Sequence, residues 1–568
     1  MTLLDPGLPA SSAASEGERP RDRGNRFRGG RGRTGWAGGV GLIAVIASLP
    51  VLAVVIDAFA ATGGDVQWPP RLGHMVITTM VLLVSVGAAT VVIGGGLAWL
   101  VTAYSFPGRG AFSWLLVLPL AMPAYIAGFV YLYLLDYPGP IQTQWREWFG
   151  QDAWFPDVHS TGMAAVVLSL CLYPYVYLLA RSALLEQAPA TYDAARSLGC
   201  SPTRALLRVV LPLARPSLMA GAALVMMETL TDFGTVAYFN VETVTVGVYR
   251  VWKGTFDRQS ATALASLVLA FALIVILAER LARGRARYLQ KGGADRGFTP
   301  VPLRGAKAWA ATGVCSLVLL LAFALPVWQL VWWAGNAKDG GFSSLLDERY
   351  LEYLWNSLRI GFIAAAGCVA AAVVMAHAAK LTQGRGVEMA SQVATVGYAI
   401  PGVVVAIGVL IATAWVDDGA EAIGISGGIG AVATGSVIGV VYAYLVRFMA
   451  PAYQSVDASF AKMPSSLTGA ALSLGSMPRQ VLTRVHLPLA RAGVAVAVVL
   501  VLIDALKELP IVLLLRPFGF TTLSIQAYQE ASEARWESAA TPALTIVVVA
   551  TIPVLILFRK ILPAKALT

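Results

Sequence analysis

The sequence predicts an all-α polytopic membrane protein with about twelve transmembrane helices in two parallel six-helix repeats. Hydrophobic residues make up 57% of the chain and charged residues 13%, whereas soluble domains carry about 25% charged residues. Apolar runs of about twenty residues, the length that crosses a bilayer as a helix, follow one another along the chain. Sequence features also recur 276 residues apart, which indicates a duplicated unit: Gly199 and Gly475, Pro212 and Pro488, and the Gly-Arg-Gly segments at 108–110 and 384–386.

These features divide the chain into four predicted parts. Residues 1–35 are a Gly-, Ser- and Arg-rich tail, which we expect to be disordered and cytoplasmic. Residues 36–282 form the first repeat, residues 283–307 a cationic cytoplasmic linker, and residues 308–568 the second repeat. The first apolar run, which starts near Trp36, is too long for the hydrophobic region of a signal peptide, so we expect it to remain as a helix.

Six apolar runs are predicted as spans in each repeat. They lie near 37–60, 74–103, 112–134, 162–182, 217–240 and 262–282, and near 308–334, 354–379, 387–413, 424–446, 492–515 and 540–558. An even number of spans gives both repeats the same orientation, with a pseudo-twofold axis along the membrane normal. The loops of one side are rich in cations, Arg447 among them, and the opposite loops carry acids, so both termini are predicted to face the cytoplasm.

Several classes of function are not expected. The four cysteines and four histidines are scattered, with no spacing typical of a metal site or a disulfide framework. The chain has no G-x-x-x-x-G-K-[ST] motif, so we expect nucleotide to be bound by a separate subunit rather than by this chain. The Arg-rich tail lacks the interleaved aromatic residues of a nucleic-acid arm, so no nucleic-acid partner is predicted. No pairing of a nucleophile with a base points to an enzyme.

A helix–turn–helix element is predicted between the fourth and fifth spans of each repeat. In the first copy, a helix over Asp193–Leu198 is expected to end at Gly199, which tolerates the left-handed conformation. Pro202 suits the first turn of the second short helix. Pro212 and Pro216 are then expected to stop the helix and restart the chain at the membrane.

This pattern, acid-Ala-Ala-x-x-x-Gly followed by Leu-Pro after about a dozen residues, resembles the EAA loop of inner-membrane permeases of binding-protein-dependent ABC importers. It is formed by Asp193, Ala194, Ala195, Gly199 and Pro212, and again by Ala470, Ala471, Gly475 and Pro488. The resemblance implies that the loops dock onto a cytoplasmic ATPase homodimer that binds ATP and Mg²⁺. It also implies a periplasmic substrate-binding protein and a multi-pass location in the bacterial inner membrane. Gly469 stands where the family has an acid, so no salt bridge to the ATPase is expected there.

Two pairs of carboxylates occupy equivalent positions in the span after each loop. Glu228 and Asp504 are 276 residues apart, as are Asp232 and Glu508. The i,i+4 spacing within each pair would place both carboxylates on one helix face. An acid at the centre of a transmembrane helix costs about 2.5–3.5 kcal/mol even on the insertion scale. We therefore expect all four to face the bundle interior or a water-filled cavity.

Two roles for these acids stay open at this point. They are either structural, through ion pairs such as Lys507 with Asp504 and Arg516 with Glu508, or they line the path of the substrate. Hard, highly charged cations such as Fe(III) prefer oxygen ligands, so the four acids are a candidate transient path for Fe(III). No firm metal site is predicted.

The segments from Glu228 to Phe239 and from Lys507 to Phe518 are similar to the ferric-iron type of this permease family, whose members are fused twelve-span proteins. The resemblance implies import of ferric iron from a periplasmic binding protein to the cytoplasm. Related permeases import thiamine or polyamines, which also carry positive charge, so these substrates stay open. An ion-coupled secondary transporter is the alternative from another class, but such a carrier needs no pair of docking loops.

Overall fold

The computed structural model describes residues 30–61, 66–187, 189–255, 257–283, 300–337, 341–382, 384–422 and 436–561. Most of the predicted Arg-rich tail, most of the predicted linker and the start of the predicted span at 424–446 lie outside the described residues. The described chain is built almost entirely from helices, as its apolar composition and its lack of alternating polar and apolar residues predict.

The first repeat contains twelve described α-helices. They are α1 (Gly30–Ala61), α2 (Leu72–Ala103), α3 (Arg109–Leu115), α4 (Ala124–Leu135), α5 (Pro140–Phe149), α6 (Thr161–Gln187), α7 (Pro189–Ser197), α8 (Pro202–Ala205), α9 (Leu211–Thr231), α10 (Gly234–Tyr238), α11 (Val244–Thr255) and α12 (Arg258–Arg283). A 3₁₀ turn covers Leu118–Ala121, and a π-helical turn joins α8 to α9 over Leu206–Val210.

The second repeat contains twelve more described α-helices. They are α13 (Ala306–Leu319), α14 (Leu325–Asn336), α15 (Glu348–Thr382), α16 (Arg385–Thr395), α17 (Gly402–Ala422), α18 (Val437–Ala461), α19 (Ser465–Ser473), α20 (Pro478–Val481), α21 (Leu487–Lys507), α22 (Pro510–Leu515), α23 (Leu523–Ser532) and α24 (Trp536–Ile561). Turns of 3₁₀ helix cover Phe342–Leu346 and Val396–Ala399, and π-helical turns cover Leu320–Ala324 and Leu482–His486.

Several helices of the two repeats begin at equivalent positions. The interval of 276 residues between Gly30 and Ala306, at the starts of α1 and α13, recurs between the starts of α2 and α15, α6 and α18, α7 and α19, and α9 and α21. The π-helical turns before α9 and α21 keep the same interval. The internal duplication that the sequence predicts is therefore present in the structure.

The first helices of each repeat pack against the other repeat. Helix α1 lies against α16 and α17, while α13 and α14 contact α3 and α4. The hydroxyl of Tyr442 donates a hydrogen bond to the carbonyl of Ile46 across this boundary, at 2.7 Å. A Cβ atom at Gly408 would lie 2.2 Å from the carbonyl oxygen of Pro50, so α1 and α17 approach closely only because position 408 has no side chain. The repeats therefore form one interlocked bundle.

A small parallel sheet fastens the second repeat to the first. Strand β1 (Tyr104–Ser105) follows α2, and strand β2 (Val301–Pro302) precedes α13. Tyr104 pairs with Val301 and Ser105 with Pro302. The amide of Leu303 also donates to the carbonyl of Ser105 at 2.9 Å. The start of the second repeat is thus held beside the end of α2.

Ten described helices are long and apolar enough to cross a membrane, and the segments Arg109–Ala121 and Ala124–Phe149, bent by 90°, would make an eleventh span if counted as one. Helix α18 has 25 residues but is not among them; its sequence includes the charged residues Arg447 and Asp457. The predicted layout of twelve spans is therefore not confirmed by length and composition alone.

The prolines after each loop do not interrupt the helix, so the prediction that they stop and restart the chain is wrong. Helix α9 runs from Leu211 to Thr231 with Pro212 in its first turn and Pro216 inside it. Proline removes an N–H donor and crowds the preceding turn of an α-helix, and in each repeat the turn just before the first of these prolines is π-helical. The wider π turn accommodates the change in hydrogen bonding. Each short loop helix is consequently continuous with the span that follows it.

Candidate functional site

Helices α7 and α8 with the turn between them form the first loop element, and α19 and α20 with their turn form the second. Gly199 and Gly475 both have φ of +84°. In the first turn the amide of Cys200 donates to the carbonyl of Ala195 at 3.0 Å, and in the second that of Ser476 donates to Ala471 at 3.1 Å. This left-handed glycine turn closes the orphan carbonyls of a helix end. Both turns therefore have the geometry that the sequence predicts.

Each loop element exposes a leucine at an equivalent position. Leu198 is 85% exposed and the equivalent Leu474 is 87% exposed. Ala194 and Ala470 are also exposed, and Ala195 is buried against the bundle. The side chain of Asp193 lies outside the described part of the structure. The two exposed leucines lie 276 residues apart, at equivalent positions of the repeats.

The loop elements are anchored to the bundle by different contacts. In the second repeat, Nδ1 of His486 lies 2.8 Å from Nδ1 of His377 on α15, and Nε2 of His486 lies 3.0 Å from the Thr468 hydroxyl on α19. In the first repeat, the Tyr192 ring packs on Trp99 with ring centroids 5.7 Å apart. The anchor of the first repeat connects its loop element to α2, and that of the second repeat connects its loop element to α15, the helix equivalent to α2.

The four predicted acids line one cavity of about 110 Å³. Glu228 and Asp232 come from the first repeat, and Asp504 and Glu508 from the second. The cavity is also lined by three tyrosines and two cations: Tyr125, Tyr175, Tyr398, Arg447 and Lys507. The structure thus brings together all four acids that the sequence singles out, and it adds residues that the sequence analysis did not place there.

The acids of each pair do not share one helix face, which corrects the interpretation of their i,i+4 spacing. Helices α9 and α21 end at Thr231 and Lys507, so Asp232 and Glu508 are the first non-helical residues, with ψ of 125° in both cases. Asp232 accepts a hydrogen bond from the amide of Val236 at 3.2 Å, and Glu508 accepts one from Ile511 at 3.4 Å. Each therefore caps the short helix that follows the break.

In the second repeat both acids form ion pairs with cations. Nζ of Lys507 lies 2.8 Å from Asp504, as the sequence analysis predicts for a structural role. Nε of Arg447 lies 3.3 Å from Glu508, and the two side chains are only 5% and 7% exposed. The predicted partner Arg516 is wrong, because its guanidinium is directed to the Thr521 hydroxyl at 3.3 Å instead. Arg447 also donates to the carbonyl of Ile400 at 2.8 Å.

In the first repeat both acids have neutral partners. The Tyr398 hydroxyl donates to Glu228 at 3.2 Å, and the Thr235 hydroxyl donates to Asp232 at 2.8 Å. No described lysine or arginine lies within 4.0 Å of either carboxylate. The repeat explains this difference, because the positions equivalent to Arg447 and Lys507 are Cys171 and Thr231. The cavity therefore holds two acids in ion pairs and two acids without an ion-pair partner among the described residues.

Arg447 is the residue that the sequence analysis misplaced. It was expected in a cation-rich cytoplasmic loop, but it is 4% exposed inside α18. The internal duplication does indicate a position inside a span, because Arg447 is equivalent to Cys171, which lies in the middle of a predicted span. Tyr125 and Tyr398 gave no comparable signal, because tyrosine is common at both membrane interfaces.

The described residues contain no group of three or more His, Cys, Asp or Glu side chains able to hold a metal ion. The cavity carboxylates are therefore not arranged as a ready-made chelate. Among the described cysteines, Cys171 lines the cavity, and all four are free thiols.

Comparison with known proteins gives two matching regions. Residues 91–289 and 368–565 match the model of the family described as binding-protein-dependent transport system inner membrane component. The Fe(3+)-transport system permease protein FbpB 2 of Haemophilus influenzae is 24% identical over 525 residues, which cover 91% of this chain and 96% of that protein. The sulfate transport system permease protein CysT of Escherichia coli is 29% identical over 247 residues, 41% of this chain and 86% of that protein. The molybdenum transport system permease protein ModB of Escherichia coli is 26% identical over 226 residues, 39% of this chain and 95% of that protein.

Proposed function

The chain belongs to the family of inner membrane components of binding-protein-dependent transport systems, and we propose that it is a fused permease that imports ferric iron. In this proposal a periplasmic binding protein delivers the ion, and a separate cytoplasmic ATPase homodimer supplies the energy by hydrolysing MgATP. Family membership decides against an ion-coupled secondary transporter. The similarity to FbpB 2 extends over 91% of the chain, whereas the similarity to CysT covers 41%.

Substrate charge is the point on which the named relatives differ, and the cavity supports a cation. Sulfate is an anion, and an anion path needs uncompensated cations or helix N-termini. Here Arg447 and Lys507 are each paired with a carboxylate at 3.3 and 2.8 Å, while Glu228 and Asp232 have no cation partner among the described residues. This surplus of carboxylates in the cavity is the observation that carries the proposal. Hard oxygen donors favour Fe(III) over softer ions, while thiamine and polyamines remain the alternative cations.

Energy coupling is proposed to occur at the two loop elements. Their turns share a left-handed glycine, with φ of +84° at Gly199 and at Gly475, and each loop element exposes a leucine. A homodimeric partner presents two identical grooves, which two equivalent loops fit by symmetry. Because each loop is continuous with α9 or α21, an ATPase that draws its two subunits together would move the helix breaks that line the cavity.

The membrane layout follows from the same symmetry. We propose α18 as the twelfth span, because it is equivalent to α6 and, at 25 residues, it is about 37 Å long. Its buried arginine is neutralised by Glu508 inside the bundle, which removes most of the penalty for a charge in a span. Six spans per repeat then give two parallel repeats with both loop elements and both termini on the cytoplasmic side.

Substrate uptake tests this proposal directly. The chain would be reconstituted into proteoliposomes with its ATPase and binding protein, and uptake of Fe(III), thiamine, spermidine, sulfate and molybdate would be compared with and without ATP. We expect ATP-dependent uptake of Fe(III) and none of the two oxyanions. Uptake of sulfate or molybdate would contradict the assignment of a cation, and uptake without ATP would contradict the assignment of an ABC importer.

A further inference from the structure

Glu228 and Asp232, the two acids without an ion-pair partner among the described residues, are part of a donor set at the contact between the two repeats. Glu228 belongs to α9 of the first repeat, and its hydrogen-bond donor Tyr398 belongs to the turn that precedes α17 of the second. Tyr125, in the first turn of α4, lines the same cavity. Its hydroxyl is buried without a hydrogen-bond partner, and the residue is 5% exposed. A buried hydroxyl without a partner is destabilising unless something else satisfies it.

Resting on the proposed function, we propose that Glu228 and Tyr398 form a transient Fe(III) site, which we call the hard-oxygen site, beside the Asp232 carboxylate in the cavity that Tyr125 also lines. Asp504 and Glu508 then serve to hold Lys507 and Arg447 rather than to bind the ion. This assigns different roles to the two acid pairs, although the repeat makes them equivalent in sequence.

The chemistry of the donor set supports this division. No three described His, Cys, Asp or Glu side chains can share an ion, so the carboxylates alone do not complete a ligand set. Phenol oxygens supply further hard donors of the kind that Fe(III) accepts. When a tyrosine binds the ion, its O–H bond breaks, an Fe–O bond forms, the proton leaves on water, and the iron stays ferric. A cavity of about 110 Å³ also holds several water molecules, which complete the coordination of the ion.

The position of the site gives it a means of release. The Glu228–Tyr398 contact joins the two repeats, so it can persist only while the repeats lie together at this depth. A movement of α9 relative to the second repeat separates these donors and lowers the affinity for the ion. Both ion pairs, in contrast, join elements of the second repeat, and they can remain intact during such a movement. Binding is therefore linked to one conformation of the bundle.

Two variants with one matched control test the division of roles. Glu228→Gln and Tyr398→Phe would be compared with the double variant Asp57→Asn/Arg258→Gln, which removes as a unit an ion pair between α1 and α12 whose residues do not line the cavity. In proteoliposomes with the ATPase and the iron-loaded binding protein, we expect the first two to lower Fe(III) uptake by about 10- to 100-fold, the effect of losing one charged or hydrogen-bonding ligand. Stimulation of ATP hydrolysis by the binding protein should persist, and the double variant should retain uptake within a few-fold of the unsubstituted chain.

A spectroscopic readout separates binding from structure. Fe(III) added to the detergent-solubilised complex should give a visible tyrosinate-to-iron charge-transfer band. Ga(III) should give no such band by itself, and it should weaken the Fe(III) band by competing for the site. Tyr398→Phe should weaken the band. Normal uptake by Glu228→Gln, or equal losses of uptake in that variant and the double variant, would overturn the hard-oxygen site. Absence of iron uptake by the unsubstituted chain would instead overturn the proposed function.

Discussion

Replacement of the left-handed glycines by alanine is the sharpest test of the loop elements. Gly199 and Gly475 both have φ of +84°, and no atom lies within 4 Å of a Cβ added at either position. The cost of Gly199→Ala or Gly475→Ala is therefore backbone strain alone, about 1–2 kcal/mol for a non-glycine residue in this region. That free energy changes the population of the turn by a factor of about 5–30.

Docking of the ATPase should weaken by up to the same factor, because an apparent dissociation constant scales inversely with the fraction of the chain in the competent conformer. We would measure the affinity of the purified ATPase for the chain in nanodiscs, and the ratio of ions transported to ATP hydrolysed. Each single variant should lower affinity by up to about 30-fold, and the double variant should lower it further. Membrane insertion and the unfolding temperature of the bundle should change little, since both turns are exposed.

Gly469→Ala is the matched control for these variants. Gly469 lies within α19, in the same loop element as Gly475, but it has neither a positive φ nor a neighbouring atom within 4 Å of an added Cβ. Alanine in a helix interior is favoured over glycine by about 1 kcal/mol, so docking should be unchanged or slightly stronger. Wild-type affinity in both Gly199→Ala and Gly475→Ala would refute the reasoning.

Three buried contacts can be tested by substitution. Arg447→Met leaves the Glu508 carboxylate buried without its cation and should destabilise the fold by about 3–5 kcal/mol, whereas Arg447→Met/Glu508→Leu should lose much less; unfolding in detergent measures both. His486→Val leaves His377 without its partner and should cost about 1–3 kcal/mol, part of which the second change His377→Val should recover. Gly408→Ala should lower the unfolding temperature, because its Cβ would lie 2.2 Å from a carbonyl oxygen of α1.

Each of these variants has its own control. Gly96→Ala matches Gly408→Ala, because Gly96 lies inside α2 with no atom within 4 Å of an added Cβ, and it should raise stability by up to about 1 kcal/mol. Equal losses in the two glycine variants would argue against the close approach of α1. The ion pair would be refuted if Arg447→Met were as stable as the double variant. The first repeat has Val101 and Val210 at the positions equivalent to His377 and His486. A pair of valines is therefore already accommodated at the equivalent place in the first repeat.

Much of the fold could be predicted from the sequence, because the residues that begin and end helices recur at a fixed interval in the two repeats. Gly199 and Gly475 mark helix ends that only a left-handed residue closes, and the short helices before and after them follow from local propensity. The continuous helix from each loop element into the span that follows could not be predicted in this way. Pro212 predicts a stop, and the π-helical turn that absorbs it leaves no signature in the pattern of apolar residues.

The cavity was predicted only in part, for a related reason. The acids Glu228 and Asp504 are detectable because charges are rare in apolar runs. Their partners depend on how distant helices pack. Glu508 pairs with Arg447 rather than with Arg516, which is nearer in sequence, and Glu228 pairs with Tyr398 from the other repeat. Sequence spacing describes contacts along one helix, whereas these contacts join helices that are far apart in the chain.

Cross-linking of the two exposed leucines tests the central claim most directly. Leu198→Cys and Leu474→Cys would be introduced into a chain with Cys200→Ser, since the other three cysteines are buried and Cys200 lies within the first loop element. An ABC importer requires that both positions react with thiol reagents from the cytoplasmic side only and that each cross-links to one subunit of the ATPase dimer. Reaction of the two positions from opposite sides of the membrane, or failure of both to cross-link to any ATPase, would contradict the account.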